Sequence, residues 1–287
     1  MDKLDFSYVR PLTVKEAAEA LCVPGAKVIA GGTDLMIELK ERKTSCTCLV
    51  DITEIDELTA IHVTDKQIEI GAAVPFTEIA RHPVIRAEYT ALAQAVSKVG
   101  SPQIRNRGTI GGNLSTGSSA GDSLCPLTAF GADLVIADQM GRKTVNIADF
   151  WDAAVRDGLS TKKLLTQIIL PRQLQPMQSV FIKLGRRESL AISRLSLTMA
   201  VSLDSNHRIA DARAAIGSAG RHAYRVPEAE NLLRGKLYTE VDQQRLEYEL
   251  ANAIQKTLGA RSTAQYKAQA VKGLCRQAEK SLFFDRS

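Results

Sequence analysis

The chain has little aromatic surface, few histidines, no paired-cysteine motif and no long apolar run, and each shortage removes a class of function. Aromatic residues make up 5% of its 287 residues, so no basic groove interleaved with stacking side chains is on offer to nucleic acid. The net charge of +5 is mild and falls in short pairs such as Lys162–Lys163 and Arg186–Arg187. The four histidines, His62, His82, His207 and His222, are scattered, which suits surface or packing roles better than a catalytic or metal cluster. Five cysteines, Cys22, Cys46, Cys48, Cys125 and Cys275, include one close pair, Cys46-x-Cys48; without the ligand spacing of a zinc site, no metal is expected. An odd count with no secretory context fits reduced thiols in a cytoplasm. The opening "MDKLDFSYVRP" has acids and no apolar core, so no signal peptide is expected. No segment nears the roughly 18 apolar residues of a membrane span.

What remains is an ordinary globular composition, 45% apolar and 24% charged, in a chain long enough for one large domain or two modest ones. "LTVKEAAEALC" (12–22) reads as a helix, with Thr13 as N-cap and Glu16 closing a capping box. "AKVIAGGTDL" reads as a short strand ending in a glycine pair, followed by a helical run at 34–42 and a strand at 48–52. From Ala60 the period changes to two, and "AIHVTDKQIEIGAAV" predicts a hairpin turning at 64–66. Helical stretches around 76–80 and 91–99 lead into "RNRGTIGGNLSTGSSAGDSLCP" (105–126), read as a loop. A second hairpin follows, turning near Met140–Gly141, and then "KLLTQIILP", a strand stopped by Pro171. The breakers of 172–178 mark a domain boundary. Three strands in a meander and a helical tail from Pro227 to Phe284 complete an α+β chain.

The two glycine-rich stretches carry the chemistry. In "AGGTDL", Gly31 and Gly32 follow a strand, where a backbone without Cβ can turn sharply and come close to a ligand. Free N–H groups opening a helix there favour an anion; a plain turn capped by Thr33 or Asp34 is the competing reading. The 105–126 stretch holds five glycines, many hydroxyls and nothing charged between Arg107 and Asp122. Such neutral donors suit a phosphate, and its hydroxyls suit a polyol chain. Ile110, Leu114 and Leu124 punctuate it, which a slack linker does not need. There is no G-x-x-x-x-G-K-[ST] and no G-x-G-x-x-G, so neither a P-loop nor a Rossmann site is supported. A hydrolytic reading takes Ser123 of "GDSL" as nucleophile with His207 and Asp204 of "DSNH" as base and orienter. Those letters resemble the GDSL esterases, but the order along the chain does not, and Asp-Ser-Asn belongs to turns anyway.

Taken together, "KVIAGGTDL", "VGSPQIRNRGTIGGNLSTGSSAGDSLCPL", "LLTQIILP" and "FIKLGRRESLAISRLSLTMAV" closely resemble the FAD-binding subunits of molybdenum hydroxylases, the family of xanthine, carbon monoxide and nicotinate dehydrogenases. The resemblance covers essentially the whole chain in order. It implies a two-lobed FAD domain of the vanillyl-alcohol oxidase/PCMH type over 1–172, with lobes of about 1–57 and 58–172. A C-terminal domain of antiparallel sheet plus helices would follow over 176–285. It further implies that Lys27, Val28, Ile29, Ala30, Gly31, Gly32, Thr33, Asp34 and Leu35 wrap the FAD pyrophosphate. Gly108, Thr109, Gly112, Asn113, Ser115 and Thr116 would hold phosphates and ribityl chain, and Asp122 would bond the flavin or adenosine portion. Val99 and Leu165 would supply apolar contacts, with Lys183 near the isoalloxazine. In this family electrons pass from molybdenum through iron–sulfur clusters to FAD and on to NAD or another acceptor. The molybdopterin and the two [2Fe–2S] clusters would lie on a large and a small partner subunit, in a heterotrimer or a dimer of heterotrimers, and no acid–base triad is implied on this chain. A free-standing flavoprotein oxidase of the same fold is the alternative. "SLAISR" (189–194) departs from the Asp-Ile-Ala usual in the family.

Overall fold

The computed structural model describes residues 6–151, 162–172, 177–187 and 190–284. By internal contacts the chain forms two compact units, each assembled from separate stretches. One comprises Met1–Glu78, Pro102–Thr116 and Gly131–Pro171, the other Ile79–Ser101, Gly117–Phe130 and Arg172–Ser287. The breaker segment read as a domain boundary lies partly outside the described residues, at 173–176, as does Ser189 of the departing hexapeptide. No described helix is long and apolar enough to cross a membrane.

The first unit contains two sheets. Strands β1 (Ser7–Val9), β2 (Ala26–Ile29) and β3 (Cys48–Asp51) run parallel in the order β1-β3-β2. The helix Val14–Ala20 supplies Val14 and Ala17 to a core that includes Val50, Ile55 and Leu58. Thr13 accepts from the Glu16 amide at 3.2 Å as expected, but the Glu16 carboxylate reaches back to the Leu12 amide at 2.8 Å instead of that of Thr13. An antiparallel sheet of β4 (Ile61–Val63), β5 (Gln67–Gly71), β6 (Asp133–Asp138), β7 (Gly141–Asn146) and β8 (Leu164–Pro171) has the order β4-β5-β8-β6-β7. Strand β8 lies between two neighbours, and its near-continuous apolar run suits that position. Proline, which cannot donate to a ladder, ends it.

The second unit is built on β9 (Gln178–Leu184), β10 (Leu195–Leu203), β11 (Ile209–Gly217) and the two-residue β12 (Tyr224–Arg225), a meander with order β12-β11-β10-β9. In "LSLTMAVSL" the odd positions Leu195, Leu197, Met199 and Val201 join a core with the helices Gln243–Leu258 and Ala264–Glu279. The even positions are small and face the other way. There Thr198 donates to the Cys125 thiol at 3.3 Å, on the fully buried helix Leu124–Phe130. On the same sheet the helix Thr90–Ser97 meets β9, where the Gln94 carbonyl accepts from the Phe181 amide at 2.8 Å. Period two thus buries β10 on both faces. A helix at Pro83–Glu88, which the sequence did not reveal, precedes Thr90–Ser97.

A buried acid pins the helix Pro227–Leu233 to β11. Glu230 is 2% exposed and accepts from Arg225 at 2.7 and 2.8 Å, from Arg234 at 3.1 Å and from the Ala214 amide at 3.1 Å. Removing it takes the carboxylate from Arg225 and from the buried Ala214 amide, while Arg234 keeps Asp211, Asn231 and the Ala212 carbonyl. Glu230→Ala is therefore expected to lower unfolding free energy by about 3 kcal/mol in denaturant titration; a loss under about 1 kcal/mol would show the network to be dispensable.

Candidate functional site

In the first unit the two glycine stretches touch backbone to backbone. A Cβ on Gly31 would lie 2.0 Å from the Arg107 carbonyl oxygen and 3.0 Å from the Gly108 Cα, so no other residue fits without moving one chain. Gly32 has φ +69, the left-handed region that glycine enters freely. Strand β2 is an edge strand, and the turn leaves its C-terminal end, where open parallel sheets leave room for ligands.

The opposing wall is fixed by pairing. The Phe76 amide donates to Gly108 O at 3.0 Å, the Ile110 amide to Val74 O at 3.2 Å and the Gly111 amide to Ala72 O at 2.9 Å, with Pro75 and Thr109 bridged. The stretch read as a loop is in fact largely helical: Pro102–Arg107, Ile110–Thr116 and Leu124–Phe130 are short helices. Helix forms despite Gly111–Gly112 because tertiary contact outweighs their poor propensity. A Cβ on Gly111 would sit 2.5 Å from the Ala72 Cβ, so that glycine serves close packing.

Hydroxyls and amides then line the cradle. Thr109 is 5% exposed, and its Oγ1 accepts from the Gly112 amide at 3.1 Å. Thr116 Oγ1 donates to Gly112 O at 2.9 Å and to the Asp34 carboxylate at 3.4 Å, a second tie between the walls. Asp34 occupies the N-cap of Leu35–Lys40 but makes no side-chain cap bond; its carboxylate accepts from Thr116 instead of capping as the plain-turn reading had it. That helix has six residues, too few for a large dipole; what can meet an anion here is local N–H and hydroxyl density. Lys27, Val28, Ile29, Ala30, Thr33 and Leu35 are half-buried along one wall, with Asn113 half-buried and Gly112, Ser115 and Thr116 exposed on the other. Leu165, opposite Ile136 in β8, is 8% exposed. The donors of the Gly31–Thr33 turn and of Gly112–Thr116, held side by side by the Gly31–Arg107 contact, fit a phosphate–polyol ligand.

The second unit gathers charge. Asp122 is 5% exposed, and its Oδ2 accepts from Lys183 Nζ at 2.5 Å. Lys183, whose side chain is 10% exposed, also donates to the Lys98 carbonyl at 3.4 Å, next to the half-buried Val99. The Lys98 ammonium lies 5.8 Å from the centre of the Phe181 ring. Burial pushes the Asp122 carboxyl up to about 6, against the pull of Lys183 and then Lys98. Burial, then the like charge of Lys183, lowers the Lys98 ammonium. Asp122 Oδ1 is buried with no hydrogen-bond partner among the described residues. An orphan acceptor beside two ammonium donors fits a ligand edge carrying both a donor and an acceptor. Lys98 was not singled out in the sequence; its adjacency to Val99 was the only available signal.

The hydrolytic arrangement does not assemble. Ser123 is fully buried beside Cys125, which packs against Gly217. Asp204 and His207 form the turn at the other end of the nine-residue β11, roughly 26 Å away at about 3.3 Å per residue. The Asp204 carboxylate accepts from the Asn206 and Arg208 amides at 2.8 and 2.9 Å, so it holds the turn.

Comparison with known proteins finds matches along most of the chain. Residues 4–173 match the FAD binding domain in molybdopterin dehydrogenase, and residues 180–282 the CO dehydrogenase flavoprotein C-terminal domain. The chain is 38% identical over 288 residues to the nicotinate dehydrogenase FAD-subunit of Eubacterium barkeri, covering 98% of this chain and 96% of that one. It is 31% identical over 227 residues to a putative xanthine dehydrogenase FAD-binding subunit of Escherichia coli K12, with 78% and 77% covered. In structure it resembles a carbon monoxide dehydrogenase of Hydrogenophaga pseudoflava lacking the Mo-pyranopterin moiety of its cofactor, with TM-score 0.88, 26% identity and 99% of each chain covered.

The cradle's close approach predicts an asymmetry between its glycines. Gly31→Ala is expected to cost about 3 kcal/mol in urea unfolding. Gly112→Ala, whose Cβ would meet only the Thr109 hydroxyl at 3.0 Å, should stay within about 1 kcal/mol. Equal costs would mean that the contact at Gly31 relaxes freely.

Proposed function

Since the chain belongs to the family of FAD-binding subunits of the molybdopterin dehydrogenases, we propose that it is the electron-transfer flavin carrier of a multi-subunit hydroxylase. It would receive electrons from iron–sulfur clusters on a small partner subunit. The substrate would be oxidised at molybdopterin on a large one, with NAD or another acceptor taking the electrons from this chain in a cytoplasmic complex. The observation that supports this best is the backbone contact of Gly31 with Arg107, which holds two donor-rich loops against each other with no room for a Cβ between them.

Bound FAD would supply reversible hydride and single-electron chemistry, and the chain's own groups would bind, orient and shield it. Lys27–Leu35 and Gly108–Thr116 would hold the phosphates and ribityl chain through amides and hydroxyls, with the Asp34 carboxylate of that set taken up by Thr116. In the same proposed set, Asp122 would accept a hydrogen bond from the cofactor through its orphan Oδ1. Lys183 would keep the partner oxygen of that carboxylate occupied, and Val99 and Leu165 would contribute apolar surface.

The test is the visible spectrum of the purified chain and the identity of any flavin released by heat. Flavin bands with FAD as the released species are expected. Gly32→Val and Asn113→Ala should each lower occupancy about tenfold or more, at the cost of one or two charge-assisted hydrogen bonds. A colourless, folded protein that refuses added FAD would overturn the proposal. Substrate turnover by the chain alone would favour the free-standing oxidase over the partnered carrier.

A further inference from the structure

Between the last two long helices lies a polar group that the cofactor reading does not use. Arg276 clamps Glu247 across Gln243–Leu258 and Ala264–Glu279 through Nε at 2.6 Å and Nη2 at 3.0 Å. Glu279, one turn beyond Arg276 and 5% exposed, forms no salt bridge among the described residues. Its neighbour is the Gln243 side-chain amide, one end of which meets both Glu279 carboxylate oxygens while the other meets the Tyr238 hydroxyl at 3.1 Å. The Tyr238 ring stacks on Phe283 at 4.0 Å and meets Phe284 edge-on at 5.3 Å. Both belong to the π-helical turn Lys280–Phe284 that follows Glu279.

An amide between a carboxyl and a hydroxyl can be satisfied in two ways. With Glu279 ionised, the amide NH2 donates to the carboxylate and its carbonyl accepts from Tyr238 O–H. With Glu279 protonated, the acid O–H donates to the amide carbonyl and the NH2 donates to the Tyr238 oxygen. Both states keep the oxygen and the nitrogen of the amide bonded, but only the second avoids a buried anion. We propose that Tyr238, Gln243 and Glu279 form a proton-linked relay, with the Gln243 amide as its two-position element, and that the proton on Glu279 sets how firmly the Lys280–Phe284 turn is seated. The inference is independent of the cofactor reading.

The surrounding charges agree. Burial first, then the like charge of Glu247, push the Glu279 carboxyl up to about 7, against the opposing pull of Arg276. Burial, and then the Glu279 charge, also raise the Tyr238 hydroxyl, while its bond to Gln243 lowers it. Cys275, the remaining titratable group there, is pushed up by burial and then by both glutamates, and stays a neutral thiol. The sign follows from linkage. A carboxyl that holds its proton more tightly when folded, about 7 against an ordinary 4.5, lends stability that is complete below 4.5 and lost as pH rises through 7.

Two measurements on the full chain decide the matter. Hydrogen exchange of the amides of 280–284, corrected for the intrinsic rate, should report about tenfold more opening at pH 8 than at pH 6 in the native protein. Tyr238→Phe should flatten that ratio toward one while leaving the ring stack. In parallel, the Tm of Glu279→Gln, a permanent mimic of the protonated acid, should gain on the native protein by several °C between pH 5 and pH 8. Exchange that follows the intrinsic rate alone, or a Tm gap that does not change with pH, overturns the relay. If Glu279→Gln fails to fold, the native exchange ratio and its response to Tyr238→Phe still decide whether the relay exists.

Discussion

Everything that makes the first unit a candidate cofactor holder depends on one contact between main chains, Gly31 against the carbonyl of Arg107. Two segments some seventy-five residues apart approach until no Cβ fits between them, which sets their donor-bearing residues side by side. Those residues offer backbone N–H, hydroxyl and amide, the groups that satisfy an anion without a fixed counter-charge. The wall carrying Thr109 can hold this position because Gly108–Gly111 is itself paired to Ala72–Phe76. The Asp34–Thr116 bond closes the far end. Precision here comes from hydrogen-bonded main chain, which has fewer soft degrees of freedom than side chains.

The second unit follows another logic. A strand buried on both faces, β10, takes apolar side chains toward the C-terminal helices and small ones toward Leu124–Phe130. The small face admits the fully buried helix that follows Asp122, and β9 brings Lys183 to that carboxylate. A carboxyl so far from water is retained only because ammonium groups partly offset its desolvation, and its unpaired oxygen is a cost the isolated fold carries.

Much of the fold was legible locally. Period two in 60–74 and 132–146, the apolar run of "LLTQIILP" and the Thr13 cap were each visible in a few consecutive residues and match the observed elements. Where local reading failed, tertiary contact had overruled propensity. The glycines of "TIGGN" sit in a helix because Ala72 presses on one of them. The Glu16 side chain chose the Leu12 amide over the expected one, and Asp34 gave up capping for a bond to Thr116. Pro83–Glu88 was hidden because its apolar pattern is too short to show a period.

By itself the sequence determined the class of chemistry. Scarce aromatics, scattered histidines and the lack of a paired-cysteine motif argued against nucleic-acid, metal and acid–base readings, and two glycine loops in order, through resemblance, pointed to a flavin holder. The tertiary structure alone decided which groups meet. It separated Ser123 from the Asp204–His207 turn by the length of β11, put Gly31 on Arg107 and drew Lys98 toward Asp122 and Lys183. It also set Gln243 between Tyr238 and Glu279. The reason is physical: composition and period are properties of neighbours in the chain, whereas an orphan oxygen, a missing Cβ or a shared proton exists only once distant segments are packed.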